Sequence, residues 1–416
     1  MRIHRGIAAT ALWLLASSSI AEDWPQFRGA SRDNISSETG LLRSWPAEGP
    51  RELWRLQVGQ GYSAAAIVDG VVYFNDYDES NAEWQVRAVS LADGSEVWTF
   101  RESRRIRPNH GITRTVPAVD GERVFALDPK TVLHALDAAT GEELWRKNLV
   151  QEYGTKIPPW YNGQCPLLDG DRLIIAPGGA ALVVALATSS GEEIWRTPNP
   201  EAWPMSHASL MPATLAGTKQ YLYNNLFGTL AVAAADGRLL WHFPFKFNVA
   251  VAPSPLPLEG DRVFLTAGYD AGGAILQVTR SGGAHDVQQA VAVTPDIWNS
   301  EIHTPILHDG HLFGVGRHKR GLFSCLTSEG EVVWTSEGQA SFEQGSYLLA
   351  DGMFFVLEGK TGMLRLVEAR TDKYVELARA QILGGHDVWG PMALSDGKLV
   401  LRDMQQMVCL DVRGGG

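Results

Sequence analysis

A glycine followed four residues later by tryptophan recurs along the chain, at Gly94/Trp98, Gly141/Trp145, Gly191/Trp195, Gly237/Trp241 and Gly330/Trp334. The glycines lie 47, 50, 46 and then 93 residues apart. The last gap is two repeats long, with Gly283/Val287 at its middle, and one further step reaches a degenerate copy at Lys373/Leu377. Trp54 precedes Trp98 and completes eight positions. A second ruler runs out of phase with the first: turn glycines stand at Gly70, Gly121, Gly170, Gly217, Gly260, Gly310, Gly352 and Gly397. Two independent counts of eight, at a period of about 40–50 residues, point to an array or a propeller rather than to separate domains.

The content of one period decides between those two. In the second, 113–119 leads into the Asp120-Gly121 turn and 123–127 returns; 132–137 and 143–146 flank Thr140-Gly141. Glycine tolerates the positive φ that tight hairpins demand, so these read as two hairpins. Four short strands per unit, with no amphipathic helix between them, is a propeller blade. The expected fold is therefore all-β: a single eight-bladed β-propeller of four-stranded antiparallel blades over 51–413. The last unit supplies three strands before the chain ends, so its outer strand is expected from 51–58, which carries Trp54. That pairing of an N-terminal strand with the C-terminal blade leaves no open edge in the ring. Residues 22–50 are expected to be an extension packed on the propeller, where Trp24, Phe27 and Trp45 could pin it along the ring or meet another protein. The repeated tryptophan should lie on outer strands against the next blade. Small residues on third strands, Ala88, Ala135, Ala185 and Cys409, with Cys325 beside the equivalent place, read as core.

The amino terminus carries a different signal. Arg2 and Arg5 precede an apolar stretch over 6–16, and Ser19-Ile20-Ala21 supplies a small-x-small exit. That order predicts an export signal over 1–21, cleaved after Ala21, and a periplasmic product. Cleavage removes two arginines and takes the formal charge from −11 to −13. No stretch reaches the ~18–20 apolar residues of a membrane span. An acidic chain without a basic tail argues against nucleic acid, whose binding rests on neutralising phosphates. Three scattered cysteines among 416 residues are too few for a disulfide framework or a zinc site, and no CxxCH is present for a covalent haem.

The motif Ala-Leu-Asp-x-x-Thr-Gly-x-x-x-Trp, complete at 135–145, resembles the tryptophan-docking repeat of quinoprotein alcohol-dehydrogenase-like propellers. Partial copies surround Trp98, Trp195, Trp241 and Trp334. The opening Asp23-Trp24-Pro25-Gln26-Phe27-Arg28-Gly29, through Arg32-Asp33, is similar to the leader of exported PQQ-like repeat proteins of planctomycete type. The resemblance implies the propeller fold. For function it implies two branches: PQQ-dependent dehydrogenases, and BamB-like scaffolds that bind no cofactor. The dehydrogenase branch carries an adjacent Cys-Cys pair and a calcium-holding Asp/Asn/Glu set, neither of which can be matched here. PQQ has three carboxylates, so binding it without a metal would require several converging arginines.

Geometry selects a face before any motif does. The strand one-to-two and three-to-four connections are tight turns on one face. The two-to-three loops and the links between blades lie on the other, and loops on a rigid scaffold carry function. His110, His207, His303 and His386 start blades two, four, six and eight on that long-loop face. Imidazoles converging on the axis could hold a transition metal or act as a general base on a sugar; separate hydrogen-bonded histidines are the alternative. Trp160, Tyr161, Trp203, Trp298 and Trp389 lie in links, where they could stack on a ligand or simply cap inner strands. Arg101, Arg104, Arg105, Arg107 and Arg114 enter blade two, and Arg317, His318, Lys319 and Arg320 lie in blade six opposite, a positive rim for an anionic ligand or acidic partner. Asn162, Gln164, Glu301 and Asp387 adjoin these groups.

The candidate channel-mouth set is thus His110, Arg114, Trp160, Tyr161, Gln164, His207, Glu301, His303, His386 and Trp389, with no metal site assigned. No triad, paired-carboxylate signature, P-loop or HExxH appears. The sequence therefore favours a binding or assembly module acting through its long-loop face, for a protein partner or a small anionic or carbohydrate ligand. The rival is a quinoprotein-type oxidoreductase or sugar-active enzyme using the histidines.

Overall fold

A computed structural model describes residues 22–316 and 321–414. The expected export signal over 1–21, and Arg317, His318, Lys319 and Arg320, lie outside the described residues. The hairpin chemistry of each repeat produces a four-stranded antiparallel sheet, and eight sheets follow in chain order. Blade one spans 66–103, and blades two to seven begin at 118, 167, 211, 256, 306 and 347. First strands of neighbouring blades touch one another, which places them innermost around the axis. One short helix, Leu149–Tyr153, follows blade two, capped by Asn148 and by left-handed Gly154.

The ring closes as the sequence indicates. Strand Arg51–Gln57 pairs antiparallel with Gln406–Asp411, and Ala393–Ser395 and Lys398–Arg402 complete blade eight. Trp54 is buried there with its indole N–H donating to the Leu91 carbonyl of blade one at 3.0 Å. Trp98, Trp145 and Trp334 reach the next blade in the same way, to Ala138, Thr188 and Arg370. A Cβ at Gly94, Gly141, Gly191 or Gly237 would stand 2.3–3.0 Å from the ring of Trp54, Trp98, Trp145 or Trp195. Each of these glycines has positive φ, so both the turn and the docked ring require it.

Register corrects the sequence count at three places. In every blade the third-to-fourth pairing slips by one residue beside the docking position, a two-for-one bulge. Blade five pairs Ile275 with Val291, so Val291, not Val287, replaces the tryptophan. Its hairpin, Gly272–Ser281 with Ala284–Val293, is extended, so Gly283 no longer stands four residues before the docking place. In blade seven Ala378, not Leu377, faces Leu366. Cys325 pairs directly with Trp334 and so occupies the small-residue position itself rather than a neighbouring one. All three cysteines are free and buried.

The segment before the closing strand threads into the ring. Strand Ile35–Ser36 pairs parallel with the innermost strand of blade seven, making that sheet five-stranded towards the axis. Trp24 exchanges two backbone hydrogen bonds with Ile67 of blade one, and Val119 of blade two donates to the Pro25 carbonyl. Arg28 donates to the Thr304 and Pro305 carbonyls entering blade six, and Arg32 to the Pro166 carbonyl entering blade three. Asn34 donates to the Tyr347 carbonyl of blade seven. Both ends of the segment sit at the turn face, where Asp69 donates to Asp23 and Leu41 to Asp351. Residues 24–36 therefore form a hairpin-like plug inserted from the turn face. Its tip reaches the starts of the inner strands.

Candidate functional site

The plug converts the central channel into a blind funnel open on the long-loop face. Phe27 at the plug tip borders the cavity, with the Arg32 guanidinium 5.5 Å from its ring centroid. The cavity measures about 280 Å³ and adjoins a second lobe of about 450 Å³, with which it shares Tyr269, Glu301, Ile302, His303 and Gln344. Its walls come from the blade-to-blade links and the two-to-three loops. The sequence argument placed ligand contacts on these loops, because the turns on the opposite face are too short to build anything.

One wall is a layered stack. Tyr62, in the link from blade eight to blade one, lies parallel to Trp389 with centroids 5.3 Å apart and planes 13° apart. Arg114 covers the Tyr62 ring at 5.2 Å. The guanidinium is oriented by the Asn109 and His110 carbonyls, each at 2.8 Å, and by the carbonyl of Trp160. Trp160 in turn lies against the His207 ring. His110, Trp160 and Tyr269 all hold left-handed backbone at φ 53°, 63° and 57°. For residues with a Cβ each such conformation costs about 1 kcal/mol or more, and such strain gathers at functional sites.

The histidines divide. His110, His207 and His303 border the one cavity, whereas His386 is exposed, pairs with Asp387 and does not line it. His207 Nε2 stands 2.8 Å from the Pro159 carbonyl, and His303 Nε2 stands 3.1 Å from that of Gln344. A nitrogen facing a carbonyl must carry the hydrogen, so both rings donate there. Burial pushes each imidazole down to about 4, which keeps both neutral near pH 7. Among the described residues no group of three or more His, Cys, Asp or Glu is disposed to hold a metal ion.

Two other candidates also move off the wall. Gln164 is fully buried, and its amide oxygen accepts from the Ala176 N–H while its nitrogen approaches the Ala176 carbonyl and the Tyr223 hydroxyl. It clamps blade three behind the cavity rather than facing into it. Tyr161 exchanges hydrogen bonds with the Arg107 backbone and packs in the core between blades one and two. Trp298 is buried edge-on against Phe264, and Trp203 stacks on Phe227 at the rim. Arg114, Trp160, Glu301 and Trp389 all line the funnel with the three histidines. Reasoning from sequence missed Phe27, Tyr62, Tyr269 and Gln344. Tyr62 and Gln344 lie in links and obey the rule that found Trp160. Phe27 had no such signal, because nothing in its local sequence shows that it enters the ring.

Three buried arginines are held by carbonyls rather than by carboxylates. Arg28, Arg32 and Arg402 are buried, and each donates to backbone carbonyls. Burial pushes Arg28 and Arg32 down to about 10, so both stay charged at neutral pH. Of the rim arginines, Arg104 is neutralised by Asp128 and Glu102, while Arg101, Arg105 and Arg107 are exposed. The donor set does not suit PQQ. Among the described residues one arginine and one carboxylate, Arg114 and Glu301, face the cavity. The guanidinium is already committed to carbonyls, so three carboxylates would find no converging cations.

Comparison with known proteins agrees with this architecture. In solved structures, quinohemoprotein alcohol dehydrogenase from Comamonas testosteroni superposes with a TM-score of 0.64 at 14% identity, over 95% of this chain and 81% of that one. BamB from Moraxella catarrhalis gives 0.61 at 14% identity, over 88% and 98%. Such identities speak for the fold alone. The outer membrane protein assembly factor BamB of Shewanella oneidensis is 22% identical over 246 residues, 54% of this chain and 56% of that protein, so the match spans little more than half of the relative. The family model for outer membrane protein assembly factor BamB matches residues 25–156 and 82–336, overlapping as repeats do. Most of the chain, from the plug to the sixth blade, is thus covered, and the protein belongs to the BamB family of PQQ-like β-propellers.

Proposed function

We propose that the protein is a periplasmic binding and assembly module that engages a protein partner through its long-loop face, with the funnel at the centre of that face. One observation carries the reading. Among the described residues the large apolar side chains that are 40–50% exposed fall into two groups. Val97, Leu144, Ile194, Leu239, Val332 and Val333 are on outer strands, and Val150, Ile157, Phe227, Val249 and Tyr269 all lie in links or two-to-three loops between blades two and five. Exposed apolar side chains gathered on one sector of a loop face are the mark of a contact surface rather than of scattered surface residues. Arg101, Arg105 and Arg107 flank that sector, so an acidic rim around an apolar centre is the complementary partner surface. The relative from Shewanella oneidensis, an outer membrane protein assembly factor, and the expected export signal agree with assembly work in the periplasm.

The test is site-specific photo-crosslinking in the intact periplasm. Probes at Phe227, Val249 and Arg107 should capture a common partner, and probes at Asp120 and Asp261 on the turn face should not. Phe227→Asp should abolish the capture at Val249. Crosslinks confined to the turn face would refute the reading. So would dye-coupled alcohol oxidation by the protein supplied with PQQ and calcium.

A further inference from the structure

We propose that the funnel is a carbohydrate site that takes a neutral sugar ring against the Tyr62–Trp389 wall above Phe27. The inference rests on the reading of the long-loop face as the binding face, and it names what the centre of that face holds.

Three observations narrow the ligand. The first is charge. Arg28 and Arg32 lie beneath the floor and Arg114 on the wall, against Glu301 as the carboxylate of the lining. A cationic ligand in this cavity would meet three guanidinium groups and one carboxylate. An anionic one would find the Arg114 guanidinium turned to the carbonyls of Asn109, His110 and Trp160, with a carboxylate beside it. A neutral ligand is what remains.

The second is hydrogen-bonding capacity. The Trp389 indole N–H is buried in the wall of the funnel and has no partner in the protein, whereas the Tyr62 hydroxyl interacts with the Arg114 guanidinium. Buried donors without partners are rare in folded chains, and an unfilled donor in a cavity wall points to a ligand or solvent that completes it. His303 gives its Nε2 hydrogen to the Gln344 carbonyl and so keeps the Nδ1 lone pair as an acceptor. Glu301 adds carboxylate oxygens, one already bound by the Gln344 side-chain amide. The lining therefore offers both donors and acceptors, which suits hydroxyl groups that do both.

The third is shape. Phe27, Trp160, Tyr269 and Trp389 supply flat apolar faces around a cavity of about 280 Å³, and Tyr62, covered by Trp389 and Arg114, backs that wall. A pyranose carries C–H faces and a rim of hydroxyls, so it matches rings and polar edges together. A purely apolar ligand would strand the polar groups, and a polar linear one would leave the rings uncovered.

The experiment titrates the full mature chain with maltotriose, cellotriose and triacetylchitotriose by calorimetry, with benzoate and choline as charged comparators. At least one of the sugars is expected to bind saturably. Trp389→Ala should weaken it by more than about tenfold. Tyr62→Phe should weaken it by about three- to tenfold, the worth of one hydrogen bond. The second variant is decisive, because it keeps the ring packed by Trp389 and Arg114 and removes one hydroxyl, so the melting temperature should stay close to that of the parent. Binding of no sugar overturns the proposal, as does preference for benzoate or choline. Sugar binding unchanged in both variants overturns it too, by locating the ligand elsewhere. None of these results alters the crosslinking at Phe227 and Val249, so failure of the sugar site and failure of the assembly reading are separable.

Discussion

Two glycines that differ in their surroundings allow the tryptophan docking to be weighed. Gly121 and Gly141 both hold left-handed backbone, at φ 93° and 74°. A Cβ at Gly121 meets nothing within 4 Å, whereas one at Gly141 would stand 2.6 Å from two atoms of the Trp98 indole. Gly121→Ala therefore carries only the conformational penalty, about 1 kcal/mol. Gly141→Ala carries the same penalty and must also displace a buried ring whose N–H donates to Ala138 at 2.9 Å. Loss of that bond costs about 1 kcal/mol and the steric rearrangement about 1–2 kcal/mol more. The expected difference between the variants is thus about 2–3 kcal/mol, read as the separation of urea midpoints by circular dichroism at constant m. A double-mutant cycle isolates its origin: with Trp98→Ala in the background, Gly141→Ala should fall back to about 1 kcal/mol. If Gly141→Ala costs no more than Gly121→Ala in the parent, the ring is not held by close contact with the turn, and the account of inter-blade packing is wrong.

Other consequences follow from closure, plug and burial. Deleting residues 51–58 removes the outer strand of blade eight and should abolish folding; a cooperative melt near the parent temperature would sink the closure scheme. Arg32→Ala deprives the Pro166 carbonyl of its partner beneath the funnel and should cost about 2–3 kcal/mol in thermal or urea unfolding, whereas a neutral result would mean the plug tip is unanchored. His303 has its folded pKa depressed by burial from 6.5 to about 4. Unfolding below pH 6.5 therefore takes up a proton that the folded state refuses, so its contribution is complete above about 6.5 and is lost as pH falls towards 4. The loss amounts to roughly 3 kcal/mol, and His303→Gln should flatten the stability profile over that window.

What could be read from the residues was whatever repeats. Eight units, four strands in each, and the shared last blade all follow from spacing, because turn glycines and docking tryptophans are local requirements met once per blade. The count went astray where the third-to-fourth turn changes length: only 282–283 separate the extended strands of blade five, and 369–375 separate those of blade seven, so Val291 and Ala378 could not be located by counting from a glycine or its substitute. The funnel was legible in part for the same reason. Trp160, His207, His303 and Trp389 are link residues on a face fixed by topology. Gln164 shares their neighbourhood in sequence, but it turns inward to the Ala176 backbone, an orientation that spacing does not encode. Packing of 22–50 on the propeller was an expectation, but its insertion into the channel was hidden. Nothing in the sequence marks Arg28 and Arg32 as buried, because only the ring of inner-strand carbonyls, assembled from blades far apart in sequence, gives them a buried place.

Because Phe27 belongs to the plug, ligand and plug must be thermodynamically linked. A sugar that uses this floor binds the plugged ring better than an open one, so its binding must favour insertion by the same factor by which insertion favours binding. The backbone provides a direct reporter. The amides of Ile67, Val119 and Leu349 donate to carbonyls of Trp24, Pro25 and Asn34, bonds that exist only with the plug in place. Under conditions where exchange of these amides proceeds through plug release, ligand at about one hundred times its dissociation constant should deepen their protection by about 2.7 kcal/mol, close to a hundredfold in rate. The Trp98 indole and amides remote from the plug such as that of Ser90, bonded to Ser95, should be unaffected. Equal slowing everywhere would mean that the sugar stabilises the whole ring without engaging its floor. No slowing at the three plug amides, with binding otherwise saturated, would place the ligand out of reach of Phe27.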